Sequence, residues 1–205
     1  MKKVVNESLI LEVAQKWFGK FGLNKTSMSE IADDLGISKA SLYYYFPDKE
    51  SLYRAVVQKE EGEFIERISE KLLSIRKPED LLMEYVRARF SYFRSLLNLG
   101  RLKFEEYANI KPVFRESILL FKEKEQEIIR KILEKGMNEG VFSAGDPSKT
   151  ASLFLDLLKG LRISLLEDKN TLFIEDEEFQ SVLEKTLTFT SIFIRGLKSV
   201  NNNKN

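Results

Sequence analysis

The sequence predicts an all-α protein of about nine helices, and two observations lead to this fold class. Hydrophobic residues make up 43% of the 205 residues, which is enough for a sizeable core, while glycine and proline number only ten and four. Apolar residues recur every three to four positions along most of the chain, and the alternation typical of strands is scarce. A chain of this length suits one or two small domains.

The composition excludes several kinds of chemical site. The chain has no cysteine and no histidine. Their absence excludes disulfides, thiolate or histidine metal sites, and catalytic groups built on Cys/His or Ser/His pairs. Carboxylates are plentiful but form no recognisable catalytic or metal-binding cluster. No apolar run is long enough for a signal peptide or a membrane span. We therefore expect a cytoplasmic protein that is not an enzyme, needs no cofactor and has no membrane partner.

The first predicted helix runs from Asn6 to Phe21 and ends at Gly22, which can adopt a helix-terminating conformation. Its apolar stripe consists of Leu9, Ile10, Val13, Ala14, Trp17 and Phe18. Trp17 could stack on a ligand or a base, but its phase with Val13 and Ala14 favours packing in the core.

Residues Ser27 to Lys49 predict two short helices joined by a tight turn, the helix-turn-helix arrangement that places its second helix in a DNA major groove. Ser27 and Glu30 have the spacing of a capping box. Gly36 can take a positive φ and end the first of these helices, and Ser38 can cap the second.

The second helix of this pair has two different faces. Leu42 and Phe46 form an apolar face that anchors the helix, whereas Lys39, Ala40, Tyr43 and Tyr44 share the other face. Lysine and tyrosine can bind phosphate, and lysine can also bind a guanine edge. The alanine methyl can contact thymine. The following helix begins near Lys49, and its N-terminus is suited to a phosphate.

The stretch T-S-M-S-E-I-A-D-D-L-G-I-S-K-A-S-L-Y-Y-Y-F-P-D-K-E-S-L resembles the DNA-binding segment of the TetR/AcrR transcriptional regulators, without a gap. The resemblance implies phosphate contacts from Ser27, Tyr44, Tyr45 and Lys49. It also implies base or backbone contacts from Ser29, Lys39, Ala40 and Tyr43.

The predicted DNA-binding domain, residues 1–50, is not visibly basic. Its seven lysines and seven acidic residues give 7 − 7 = 0. The position of Lys25, Lys39 and Lys49 at helix ends therefore matters more than net charge, and we expect weak non-specific binding. Lys2 and Lys3 could form an arm to phosphate or could belong to a disordered tail.

The remaining chain, residues 51–200, is expected to form a second helical domain that binds an effector and dimerises, and residues 201–205 a disordered tail. Helix four should connect the two domains, since residues 58–63 are polar almost all round. The helices are expected at 48–74, 78–97, 102–108, 112–138, 147–167 and 176–200, with Asn98 to Gly100 ending the second of these. The charged run Lys122 to Glu127 is expected to be a solvated face.

The E-G-x-F, D-P and K-G-L elements between Glu139 and Leu161 resemble the C-terminal half of the same family. The resemblance implies a homodimer formed by predicted helices eight and nine, which are apolar over more than half their circumference. Two recognition helices would then meet a palindrome in double-stranded DNA. The alternative is a monomer with a thick core.

The resemblance implies an effector pocket, and fifteen phenylalanines, many of them between Phe90 and Phe154, favour an apolar pocket among predicted helices five to eight. The candidate residues are Arg89, Phe93, Phe104, Tyr107, Phe121, Phe154 and Leu158. For each of these residues taken singly, ordinary core packing is the favoured interpretation. Arg89 or Arg162 could bind an acid group of the effector.

The function expected from the residues and the resemblance together is a sequence-specific transcriptional regulator. We expect a repressor that a hydrophobic small molecule releases from a palindromic operator through a population shift. Two alternatives stay open: a TetR-like DNA binder without a small-molecule effector, and a helical ligand carrier.

Overall fold

The computed structural model of the chain describes residues 5–100, 115–143, 145–166 and 175–198, apart from the side chains of residues 96–100 and 164–166. Within these residues every regular element is a helix. The eight helices are α1 (Glu7–Phe21), α2 (Met28–Leu35), α3 (Lys39–Tyr45), α4 (Lys49–Ser74), α5 (Pro78–Gly100), α6 (Arg115–Asn138), α7 (Pro147–Leu166) and α8 (Asp176–Leu197). The predicted all-α fold is therefore confirmed.

Predicted helices seven, eight and nine correspond to α6, α7 and α8, whereas the predicted short helix at 102–108 and the tail at 201–205 lie outside the described residues. One predicted helix end is wrong. Asn98 to Gly100 do not break α5, which continues to Gly100. Asparagine and glycine each cost a helix only about 1 kcal/mol or less, so they do not stop it on their own.

The described chain forms two compact units. The first unit contains residues 5–63, 93–100 and 115, and the second contains residues 64–92, 116–143, 145–166 and 175–198. The division falls inside α4, after Glu63. The domain boundary expected near residue 50 stays a prediction.

The core of the first unit lies where α1 packs on the helix-turn-helix pair and the start of α4. Its fully buried residues include Ile10, Phe18, Ile31, Leu42 and Leu52. The ring of Phe18 meets Tyr53 edge to face, with centroids 5.1 Å apart. These residues come from four helices, so burial of one apolar face per helix fixes α2 and α3 against α1 and α4.

In the second unit, a loop fastens the end of α6 to the end of α8. Gly140 takes a φ of 70°, and the Val141 N–H donates to the carbonyl of Gly136 at 2.8 Å. The Ser143 N–H then donates to the carbonyl of Leu197 at 2.7 Å. Asp146 caps α7, because its Oδ1 accepts from the N–H groups of Ser148 and Lys149. The chain thus turns back after α6, and α7 begins with a capped first turn.

Candidate functional site

Helix α3 is held by its apolar face and presents a polar, aromatic face to solvent. Leu42 is fully buried and Phe46 nearly so. On the opposite side Lys39 and Ala40 are exposed, as are Tyr43 and Tyr44, the latter to 89%. The Lys39 ammonium lies 5.7 Å from the centroid of the Tyr43 ring. The sequence-predicted DNA-contacting residues of α3 are therefore brought together on one open surface.

The capping box at the start of α2 fixes Ser27 and Glu30. The Ser27 N–H donates to Glu30 Oε2 at 2.8 Å, and the Glu30 N–H donates to Ser27 Oγ at 3.3 Å. The Ser27 hydroxyl and then its N–H hold the pKa of Glu30 below its ordinary value. Ser29 follows on the first turn and is half-buried. This arrangement sets where α2 begins and keeps both predicted serine contacts at its N-terminus.

The turn between α2 and α3 has the geometry that its sequence predicts. Gly36 lies in the left-handed region, with φ 67° and ψ 31°, and the next N–H, that of Ile37, donates to the carbonyl of Ala32 at 3.0 Å. Ser38 Oγ accepts from the N–H of Ser41 at 3.1 Å and caps α3. The turn and cap together fix the direction in which α3 leaves α2.

Lys49, the first residue of α4, bonds to the segment that precedes α2. Its ammonium donates to the carbonyl of Thr26 at 3.1 Å, and the buried Thr26 hydroxyl donates to the carbonyl of Gly22 at 2.8 Å. An ammonium has three N–H donors, so this contact leaves Lys49 able to donate to a phosphate as well. Its expected phosphate contact stays a prediction.

Two aromatic residues of the first unit bond to neighbouring segments. The Trp17 indole N–H donates to Asp34 Oδ2 at 2.9 Å, so this half-buried ring links α1 to α2. The Tyr45 hydroxyl oxygen lies 3.4 Å from the carbonyl oxygen of Val5, just ahead of α1. Tyr45 therefore differs from Tyr43 and Tyr44, because its hydroxyl already has an acceptor within the protein.

The candidate pocket residues lie in different surroundings. Arg89, Phe121, Phe154 and Leu158 are buried in the second unit, and the half-buried Phe93 belongs to the first unit. Phe121 packs in an aromatic cluster with Phe64 and Tyr92, and Phe154 stacks on Phe193 at 4.6 Å. Phe104 and Tyr107 lie outside the described residues. The role of these residues in a pocket stays a prediction.

A buried polar group joins α5 to α6 and was missed from the sequence. Arg89 Nε donates to Glu125 Oε1 at 2.6 Å, Nη2 donates to Oε2 at 3.2 Å, and the Tyr85 hydroxyl donates to Oε1 at 2.5 Å. The expectation that Lys122 to Glu127 is wholly a solvated face is wrong at Glu125, which is buried. Arg89 could have indicated this buried group from the sequence, because an arginine within an apolar stripe requires a buried partner for its charge.

Burial and charge act together on the pKa values of this group. Burial alone would lower the pKa of Arg89, but the Glu125 carboxylate and the Tyr85 hydroxyl raise it, and the net pKa lies above its ordinary value. Burial, and then the Glu125 carboxylate, hold the pKa of Tyr85 well above its ordinary value. The arginine is therefore charged and the phenol is a hydrogen donor throughout the physiological pH range.

No metal or membrane element accompanies these groups in the part of the chain that the structure describes. There, no three acidic side chains come together in a way that could bind a metal ion. None of the described helices is both long and apolar enough to cross a bilayer.

Residues 10–56 match the family model of bacterial regulatory proteins of the tetR family. The chain is 33% identical over 96 residues to the HTH-type transcriptional regulator RutR of Escherichia coli K12, covering 45% of this chain and 43% of RutR. It is 29% identical over 131 residues to the uncharacterized HTH-type transcriptional regulator YuxN of Bacillus subtilis, covering 64% of this chain and 42% of YuxN. The chain thus spans less than half the length of these two curated relatives.

The crystal structure of a transcriptional regulator from Cytophaga hutchinsonii is similar over nearly the whole chain. The identity is 36%, the TM-score is 0.87, and the match covers 94% of this chain and 98% of that one. The helix-turn-helix geometry, the family model and this full-length similarity agree with the resemblance carried by residues 26–52. The chain is a DNA-binding transcriptional regulator and belongs to the TetR family.

Proposed function

We propose that the chain is a homodimeric repressor that acts in the cytoplasm and is released from a palindromic operator by a hydrophobic small molecule. The observation that carries the proposal is the surface of α3. Its two anchors, Leu42 and Phe46, are buried while its lysine, alanine and two tyrosines face solvent. Such a surface places hydrogen-bond donors for DNA phosphates and groups that can contact base edges on one rigid helix.

The exposed faces of α7 and α8 support the homodimer. Leu153 and Leu157 lie one turn apart on α7 and are 56% and 39% exposed, and Gly160 continues the same face. A Cβ added at Gly160 would meet nothing within 4 Å, so a partner helix could approach closely there. On α8, Ile192 is 55% exposed. Self-association through a two-fold axis would cover these apolar groups and pair two recognition helices about 34–36 Å apart.

The buried aromatic groups of the second unit support a hydrophobic effector. Phe64 stacks on Tyr92 at 4.9 Å, and Phe121 lies 5.3 Å from Tyr92. Arg89 already binds the carboxylate of Glu125 through two nitrogens. An acid effector would have to displace that carboxylate, so an uncharged molecule among the rings is favoured. If the effector favoured one spacing of the two recognition helices by about 1–3 kcal/mol, it would change operator affinity about 5- to 150-fold.

Binding to an enriched operator duplex tests the role of α3. Tyr43→Ala with Tyr44→Ala should abolish specific binding while leaving thermal stability unchanged, because both rings are exposed. Leu73→Ala, at a residue that is 89% exposed on α4, is a matched control and should bind like the wild type. Unchanged binding by the tyrosine variant would refute recognition of DNA by this face of α3, whereas a wild type that enriched no duplex would favour the helical ligand carrier.

Sedimentation tests the dimer. Leu153→Glu with Leu157→Glu should yield a monomer, because two charges would be buried in the proposed interface. The matched control is Leu119→Glu with Leu120→Glu, at α6 residues that are 53% and 51% exposed. If the α6 variant were monomeric and the α7 variant dimeric, α7 would not form the interface.

The apolar character of the aromatic cluster suits a hydrophobic effector, but the close mutual packing of its rings favours one further candidate, a regulator without a small-molecule effector. Each of the three rings already contacts the other two, with Phe64 and Phe121 5.8 Å apart. A panel of hydrophobic molecules, screened by thermal shift and by loss of operator binding, separates the two candidates. A compound that does both supports the effector, and a panel in which none does either supports the regulator without one.

A further inference from the structure

The two tyrosines on the solvent face of α3 have different surroundings. The Tyr43 ring is 40% exposed, and the Lys39 ammonium lies 5.7 Å from its centroid. Tyr44 is 89% exposed, and its ring meets that of Tyr45 edge to face, with centroids 5.9 Å apart. The lysine of this face therefore lies beside one particular ring.

The spacing of Lys39 and Tyr43 makes them neighbours on the helix surface. They are four residues apart on α3, so their side chains lie on the same side of the helix, one turn apart. The face of an aromatic ring carries partial negative charge and attracts an ammonium within about 6 Å of its centroid. A free lysine side chain is flexible and loses conformational freedom when it binds a partner. A ring that already holds the ammonium reduces that loss.

The position of Lys39 in the helix indicates what its ammonium is placed to bind. It is the first residue of α3, and no acidic residue accompanies it in the first turn. The helix dipole disfavours a cation at this end, and departures from such local rules are expected at functional sites. In a helix-turn-helix, residues near the N-terminus of the second helix meet base edges. Guanine is the base that suits a lysine there, because its O6 and N7 both accept hydrogen bonds.

We propose that Tyr43 is a positioning residue for base recognition, whose ring holds the Lys39 ammonium where it donates to O6 and N7 of a guanine in each half-site. The family resemblance implies a separate contact from each residue, whereas the structure pairs them. The proposal rests on recognition of DNA by α3. It requires the ring of Tyr43, and not its hydroxyl, for the choice of base.

Base discrimination by variants of the full chain tests the proposal. Affinity for the enriched operator is compared with affinity for duplexes in which one base pair at a time is replaced. Lys39→Met should lower discrimination about 5- to 150-fold at one G·C pair of each half-site, the range for a well-formed contact to a guanine edge. Tyr43→Leu should lower discrimination at that same pair about 2- to 5-fold, because the contact between ammonium and ring is lost.

Two variants serve as controls for these changes. Tyr43→Phe keeps the ring without the hydroxyl and should retain the wild-type preference at that pair. Tyr44→Leu makes the same substitution at the neighbouring ring, which does not hold the lysine. It should leave the preference at that pair unchanged, whatever it does to overall affinity.

A double-mutant cycle separates positioning from direct contact. If Tyr43 acts through Lys39, Tyr43→Leu has no further effect at that pair in the Lys39→Met background. Equal losses in the two backgrounds, equal losses from Tyr43→Phe and Tyr43→Leu, or no loss from Tyr43→Leu would each overturn the positioning role. Discrimination at every G·C pair unchanged by Lys39→Met would overturn the guanine contact. Failure of the wild type to enrich any duplex would instead refute recognition of DNA by α3.

Discussion

Replacement of Glu125 by leucine is expected to destabilise the second unit strongly, because Arg89 would lose the carboxylate that neutralises it. The two side chains are only 5% and 4% exposed, so water cannot take the place of that carboxylate. Removing one partner of a buried ion pair typically costs about 3–5 kcal/mol. For a chain of this size each kcal/mol corresponds to about 2–4 °C, so we expect Tm to fall by about 6–20 °C.

Far-UV circular dichroism during heating, at one protomer concentration, measures this change, since the Tm of a dimer depends on concentration. Replacing the whole group by Tyr85→Phe, Arg89→Met and Glu125→Leu should restore stability to within about 1.5 kcal/mol of the wild type, because no buried polar atom of the group is left.

An exposed ion pair provides the control. Lys122 donates to Asp156 at 3.0 Å, and the two side chains are 47% and 55% exposed. Lys122→Met should cost less than about 1 kcal/mol, since water screens such pairs. A Glu125→Leu variant that lost no more stability than Lys122→Met would refute the reasoning from burial.

Three further predictions concern local structure. Gly136→Ala should lower Tm, because the new Cβ would overlap the buried ring of Phe142, whereas Gly62→Ala, with open space around it, should raise stability by about 0.5–1 kcal/mol. Glu30→Ala should lower Tm at neutral pH. Because the pKa of Glu30 is lowered in the fold, its carboxylate stabilises the protein at any pH above about 4.3, the ordinary pKa of glutamate. As the pH falls below this value the carboxylate is protonated, so the Tm difference between the variant and the wild type should disappear. Ser38→Ala should cost about 0.5–2 kcal/mol by removing the cap of α3, and operator affinity measured alongside Tm should fall with it.

The helix-turn-helix could be read from the sequence because its signals are short-range. Each cap and turn joins groups that are three or four residues apart in the sequence, so spacing alone determines which atoms meet. The residues concerned are Ser27, Glu30, Gly36 and Ser38. Burial of Leu42 and Phe46 followed in the same way from helical periodicity.

The polar group in the second unit could not be derived in that way. Glu125 lies four residues from both Phe121 and Ile129, a spacing that places it on the buried face of α6, but it is 36 residues from Arg89 and no local pattern identifies the two as partners. The end of α5 was missed for a related reason. Propensities at Asn98 and Gly100 are weak compared with the stability of a long helix. The DNA contacts and pocket residues stay predictions until a ligand is bound.

The most direct test of the central claim is selection from random DNA duplexes, with the retained fraction sequenced at low and physiological salt. We expect the wild type to retain a palindrome whose half-sites are about one helical turn apart. The Tyr43→Ala, Tyr44→Ala variant, which lacks the two exposed phenols of α3, should retain none. No enrichment by the wild type at either salt, or the same palindrome retained by both proteins, would contradict recognition of DNA by α3.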